Sequence, residues 1–173
     1  MAKLVHDYGA ASMISDPSSG LAVVQITGLI TPAISLQVLR DNAAFVARNR
    51  IAGQVAVYSG AAMAITADSM LRNAQIARIE APELAIPTAI VAPAEAFDMC
   101  RRYCALMCEA GFWRRAFLDY ESALRWAAEY AQIREDLLAQ RRPAPTEVGP
   151  SPEETTRRVR RRVASDRKPR PSP

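Results

Sequence analysis

Periodicity divides residues 3–140 into short apolar runs and longer stretches of helical spacing. Both kinds are clearest between residues 86 and 129, where IPTAIVAP is followed by a helical pattern, then WRRAFLD, then ESALRWAAE. Strand, helix, strand, helix is the unit from which parallel α/β sheets are built. Upstream, an extended segment around Lys3 to Ile14 runs into the turn formers Asp16-Pro17-Ser18-Ser19-Gly20 and on to Leu21–Thr27, which predicts a hairpin. Thr31 followed by Pro32 is an N-cap with proline at the first helical position, and Ile34, Val38, Phe45 and Val46 give that helix an apolar stripe up to about Asn49.

Gln54 to Tyr58 reads as a buried strand closed by Ser59-Gly60, and Thr66 caps a second helix to about Ile79. Thr88 to Val91 is the next strand. Pro93 opens the third helix, Gly111 ends it, and Trp113 to Leu118 is the last strand. Asp119 then caps a helix running from Tyr120 as far as Gln140, whose second half is more polar. The order is β-β-α-β-α-β-α-β-α. The expected fold class is α/β, a mixed sheet of about five strands with four helices in residues 1–140, followed by a different segment in 141–173.

That segment changes composition abruptly: it holds seven of the chain's 12 prolines, no aromatic residue, and three valines as its only sizeable apolar groups. It cannot bury enough surface to offset its ordering entropy and is expected to be disordered alone. Charge divides at the same place. Residues 1–140 carry 12 Lys and Arg against 14 Asp and Glu, whereas 141–173 carry ten against four. The net +4 therefore describes the tail rather than the domain. Arg157, Arg158, Arg160, Arg161, Arg162, Arg167, Lys168 and Arg170 form a basic run interrupted by one acid, Asp166. On phosphates such a run releases counterions and binds nucleic acid or an anionic surface without sequence preference. Lack of aromatics argues against base stacking, and lack of apolar anchors against membrane insertion. Folding back onto the mildly acidic domain and plain solubilisation are the competing uses.

No apolar run is long enough to span a membrane, and the N-terminus lacks the charged start and apolar core of a signal peptide, so the protein is expected in the cytoplasm. Cys100, Cys104 and Cys108 fall in one helix, too strained for an internal disulfide and odd in number. They are the chain's candidates for a soft-metal site. The same spacing, with Phe97 and Met107, makes an apolar face for the sheet, and core packing is the favoured reading. His6 is the sole histidine, which starves any histidine-based triad or metal cluster. Ser59 lacks the flanking glycines of a nucleophile elbow, and neither phosphate-binding glycine pattern occurs. Arg101, Arg102, Arg114, Arg115 and Arg125 are read as a solvated face, with a local basic patch as the alternative.

Three phrases carry a family likeness. QITGLITPAI, IPTAIVAPAEAFDMCRRYCALM and, most specifically, AFLDYESALRWAAE resemble the bacterial STAS/SEC14-like single-domain proteins, relatives of the anti-sigma-factor antagonist or SpoIIAA-like fold. The resemblance covers about residues 5–130. Such proteins commonly carry a phrase of the type F-R-D-x-x-x-A-L-x-W-L, filled here by Phe117, Asp119, Ala123, Leu124 and Trp126. These residues pack and cap, so they indicate fold rather than function. Classical antagonists also carry Asp-Ser-Ser-Gly at the start of the second helix, whose serine is the phosphorylation switch. Here that region reads Ala64-Ile65-Thr66-Ala67-Asp68-Ser69-Met70, and the phrase is absent. Thr66 and Ser69 are left as candidate regulatory hydroxyls, with capping alone as the simpler reading.

The expected function is a non-catalytic regulatory or protein-interaction module, with no cofactor. The alternatives are a nucleic-acid-associated protein binding through the tail, and a carrier of a small ligand, since the resemblance implies relatives that hold lipids or nucleotides. The mark of a carrier would be a pocket between sheet and helices.

Overall fold

In the computed structural model, which describes residues 3–18 and 20–141, the N-terminal extended segment is two strands rather than one. β1 (Leu4–Asp7) and β2 (Ala11–Ser18) pair antiparallel in the register Leu4 to Ser15. Gly9 makes the turn between them: its φ of 77° is left-handed, the Asp7 Oδ1 accepts its N–H at 2.8 Å, and the Tyr8 N–H donates to the Ala11 carbonyl at 2.8 Å. The sheet therefore has six strands, one more than expected.

β3 (Leu21–Ile30) completes the predicted hairpin with β2, Ser18 facing Leu21. From β3 onward every neighbour is parallel, through β4 (Gly53–Met63), β5 (Thr88–Val91) and β6 (Arg114–Phe117), so sheet order equals chain order. β4 is twice its expected length. Ser59-Gly60 is a bulge inside it rather than its end: Gln25 to Thr27 of β3 spans Val57 to Gly60 of β4, and a Cβ on Gly60 would stand 2.9 Å from Thr27 Cγ2.

The crossovers are α1 (Pro32–Asn49), α2 (Ala67–Glu80) and α3 (Phe97–Glu109), and α4 (Tyr120–Arg141) follows the last strand. Their caps are those the sequence predicts. Thr31 accepts from the Ile34 N–H, and Asp119 accepts from the Ser122 N–H at 2.8 Å. Crossovers of one hand stepping in one direction put α1, α2 and α3 on the same face of the sheet, which leaves the other face to α4. Period-2 alternation assigns the side chains. Val24, Ile26, Ala56 and Ile90 face the three-helix side, and Val55, Ala89 and Val91 face α4. Phe45, Ala77, Ile86, Met107 and Phe112 anchor the larger core, each big side chain contributing about 1.5–3 kcal/mol by burial.

The expected basic tail lies outside the described residues, and with it Arg157, Arg158, Arg160, Arg161, Arg162, Arg167, Lys168 and Arg170. No helix among the described residues is long and apolar enough to cross a membrane.

Candidate functional site

α4 carries two apolar stripes, one buried against the centre of the sheet and the other reaching only its β6 edge, through Trp126. Ala123, Ala127 and Ala131, spaced by four, are buried against β4 and β5. Their small size lets the helix come so close that a Cβ added at Gly53 would lie 3.0 Å from Ala131 Cβ and 3.1 Å from the Ala127 carbonyl oxygen. The second stripe, Trp126, Tyr130, Ile133 and Leu137, advances by four, three and four, so it lies on one side of the helix but rotated away from the sheet. Trp126 reaches Phe117 of β6 at 5.9 Å and stacks on Tyr130 at 4.7 Å, and Trp113 meets Tyr130 edge-on at 6.1 Å. Beside these rings runs a surface groove of about 330 Å³, lined also by Cys108, Gly111, Phe112 and Arg114.

Beyond the rings the stripe has no partner among the described residues. Ile133 and Leu137 are 40% and 43% exposed. Trp126, Tyr130, Ile133 and Leu137 make an aromatic and aliphatic face along α4 beside the edge strand β6, a concentration of apolar surface of the kind that marks contact sites. Two cations border it. Arg115 lies over the Phe117 ring at 5.4 Å, and Arg125 lowers the Asp119 carboxyl after the dominant effect of the Ser122 N–H hydrogen bond. Neither arginine has a carboxylate within ion-pair distance among the described residues. The basic patch weighed from the sequence is thus divided: Arg101 pairs with Asp98 at 3.5 Å, and Arg114 points to the opposite face of β6 from Arg115.

On the three-helix side lies a cavity of about 60 Å³ that opens to solvent. Its apolar walls come from β3, β4, β5, α1, α2 and α3, among them Ile26, Ala56, Ile90, Val38 and Met70. Polar groups converge on it from separate elements. Asn42 of α1 donates to Gln54 Oε1 at 3.2 Å, Gln54 donates to Thr88 Oγ1 at 3.0 Å, and Thr88 donates to the Ile86 carbonyl at 3.2 Å. This buried relay pins α1 to β4 and β5, and it leaves Asn42 Oδ1 without a hydrogen-bond partner among the described residues. Arg114 enters from β6; its Nε is buried with no hydrogen-bond partner among the described residues, and its guanidinium carbon is 5.7 Å from the Phe112 ring centre. Burial raises the Tyr58 and Tyr103 hydroxyls above the usual phenol range, with Arg114 opposing that rise in both.

The three cysteines are not brought together as a soft-metal site. Cys100 and Cys104 pack with Ala56, Ile90 and Ala92, whereas Cys108 is exposed and its thiol reaches the Arg114 carbonyl at 3.3 Å. Cys108 is therefore off the apolar face on which the spacing placed it. Burial pushes the Cys100 thiol up to about 11 and the Cys104 thiol up to about 12, the reverse of what a nucleophile or metal ligand requires. Among the described residues no three His, Cys, Asp or Glu side chains form a metal-holding group.

Thr66 and Ser69 form a reciprocal capping box at the start of α2. Thr66 Oγ1 accepts from the Ser69 N–H at 3.3 Å, and Ser69 Oγ accepts from the Thr66 N–H at 2.9 Å. A grouping the sequence did not suggest ties the N-terminal strands to α1. Asp41 accepts from the Tyr8 hydroxyl at 3.0 Å and from the Gln37 amide at 3.3 Å, and it lies 3.5 Å from His6 Nδ1. Residues 6 and 41 are too far apart in sequence for any local pattern to join them.

No protein-family model matches the chain, and no curated protein matches it. Among solved structures it is similar to an anti-sigma factor antagonist from Mycobacterium paratuberculosis, at 14% identity and a TM-score of 0.43, over 70% of this chain and 97% of that one. It is also similar to an uncharacterized protein with a SpoIIAA-like fold from Shewanella loihica, at 12% identity and a TM-score of 0.46, over 73% of this chain and 98% of that one.

Proposed function

We propose that this protein is a non-catalytic regulatory module that acts by binding another protein, with the α4–β6 face as its docking surface. The observation that carries the reading is the second stripe of α4: Trp126, Tyr130, Ile133 and Leu137 continue a stacked aromatic cluster into apolar side chains that the domain itself leaves exposed. Trp, Tyr and Arg are the residue types in which binding energy concentrates, and all three meet here. The occupant is an apolar segment of a partner protein flanked by carboxylates, since Arg115 borders the face with no carboxylate within ion-pair distance among the described residues. The domain of residues 1–140 and the tail of 141–173 divide the work in this reading: the domain recognises, and the tail's basic run adds electrostatic attraction. Three free thiols suit the reducing cytoplasm in which we place it.

The test is a comparison of full-length proteins: wild type, Trp126→Ser and Ile133→Asp, each first shown to melt at the wild-type temperature, then used to capture partners from nuclease-treated lysate. The reading predicts a discrete protein held by wild type and lost with both substitutions. Capture indifferent to both changes, or requiring nucleic acid, rejects the docking face and favours binding through the tail.

A further inference from the structure

We propose that the cavity between the sheet and α1–α3 is a binding site for a small carboxylate carried on a short apolar body, anchored at Arg114. The cavity lies on the three-helix side of the sheet, although Arg114 also borders the groove beside Trp126 and Tyr130. Arg114 belongs to β6, and strand alternation turns its side chain inward with Ala116 while Arg115 and Phe117 turn to α4. Its Nε is buried and has no partner among the described residues, and no carboxylate there lies within ion-pair distance of its guanidinium. Arg114 as a whole is half-buried, and its unpaired Nε–H is free to join a neighbouring guanidinium N–H in gripping an anion through parallel donors.

Neighbouring groups narrow the class. The phenols of Tyr58 and Tyr103 are kept neutral by burial beside the arginine, so they remain hydrogen-bond donors to an anionic oxygen. One cation and two neutral donors suit the single charge of a carboxylate better than the nearly double charge of a phosphate monoester. Val24, Ile26, Ala56, Met63 and Ile90 line the rest with apolar surface, which an aliphatic or aromatic body covers. The volume of about 60 Å³ holds a fragment of a few heavy atoms, with anything longer extending through the mouth.

The experiment is an NMR titration of the ¹⁵N-labelled full-length chain with hexanoate and with benzoate, with hexan-1-ol and benzyl alcohol as uncharged controls. The two acids separate an aliphatic from an aromatic body. The proposal predicts saturable shifts at the amides of Ala56, Ile90, Tyr103 and Arg114 with at least one acid, and affinity at least tenfold weaker for its alcohol. Arg114→Gln should weaken the acid at least tenfold while leaving the alcohol unchanged, and Ala56→Leu, which fills the cavity, should abolish both. Comparing acid with alcohol in the wild type keeps the test decisive if either variant fails to fold. No saturable shift with either acid, shifts centred elsewhere, equal binding of acid and alcohol, or undiminished binding by a folded Arg114→Gln protein would each overturn it.

Discussion

Replacing Gln54 with Met isolates the polar relay that joins α1 to the sheet. Gln54 is 1% exposed, donates to Thr88 and accepts from Asn42, and methionine keeps its length and volume. Thr88 loses one hydrogen bond but still donates to the Ile86 carbonyl, so it is not left unpaired. Asn42 is left worse off: among the described residues its Oδ1 already has no partner, and its Nδ2 loses the only side-chain acceptor it has there. One newly orphaned buried amide group costs about 1–3 kcal/mol. We therefore expect a loss of about 2 kcal/mol, which for a chain of this size is roughly a 4–8 °C fall in melting temperature. The double variant Asn42→Leu with Gln54→Met removes both ends of the bond and should be at least about 1 kcal/mol less destabilised than the sum of the two single changes. Urea unfolding followed by circular dichroism measures all three differences. A neutral Gln54→Met, or strict additivity in the cycle, would show that the relay does not hold α1 to the sheet.

Three other outcomes follow from burial. A thiol-reactive dye at pH 8 should label Cys108 quickly and reach Cys100 and Cys104 only on unfolding, giving one fast equivalent in native protein and three in denaturant; rapid labelling of all three would contradict the packing of α3. The buried thiols also set an alkaline limit. Their folded-state values of about 11 and 12 stand above the ordinary thiol value of 9.0, so the folded state favours the neutral form. Their contribution is fully present below pH 9 and is lost as pH rises from 9 through 11 and 12, so urea midpoints should fall over that window, less steeply in Cys100→Ala. A midpoint that does not move between pH 9 and 11 rules this out. Gly53→Ala should cost about 1–3 kcal/mol by pushing α4 off β4, read as a lower urea midpoint, and an unchanged midpoint would mean that the helix is not seated against that strand.

Local signals located most of the fold. Thr31-Pro32, Asp119 and the apolar run Thr88–Val91 each announce an element through chemistry contained within a few residues, and each lies where that chemistry puts it. Two glycines were harder to read. Gly9 turns β1 into β2 with only Asp7 as its companion signal, and Gly60 looks like a strand end because a bulge and a turn use the same residue. The candidate sites were less legible still. The relay joins residues 42, 54 and 88 from three elements, and the free stripe of α4 becomes visible only once the alanines are known to take the sheet. Arg114 and Arg115 look equivalent in WRRAF, yet alternation sends one to the cavity and the other to the docking face.

The most direct test of the docking face is site-specific photocrosslinking from the full-length protein in cell lysate, with benzoylphenylalanine placed at Ile133 or at Ile79. Both residues are exposed and apolar, Ile79 at 81% on α2 and Ile133 at 40% on α4, so exposure alone predicts the stronger reaction at Ile79. The account predicts a discrete crosslinked protein from position 133 that disappears when Trp126→Ser is added, and none from position 79. Crosslinking from position 79 alone, or equally from both, would contradict it.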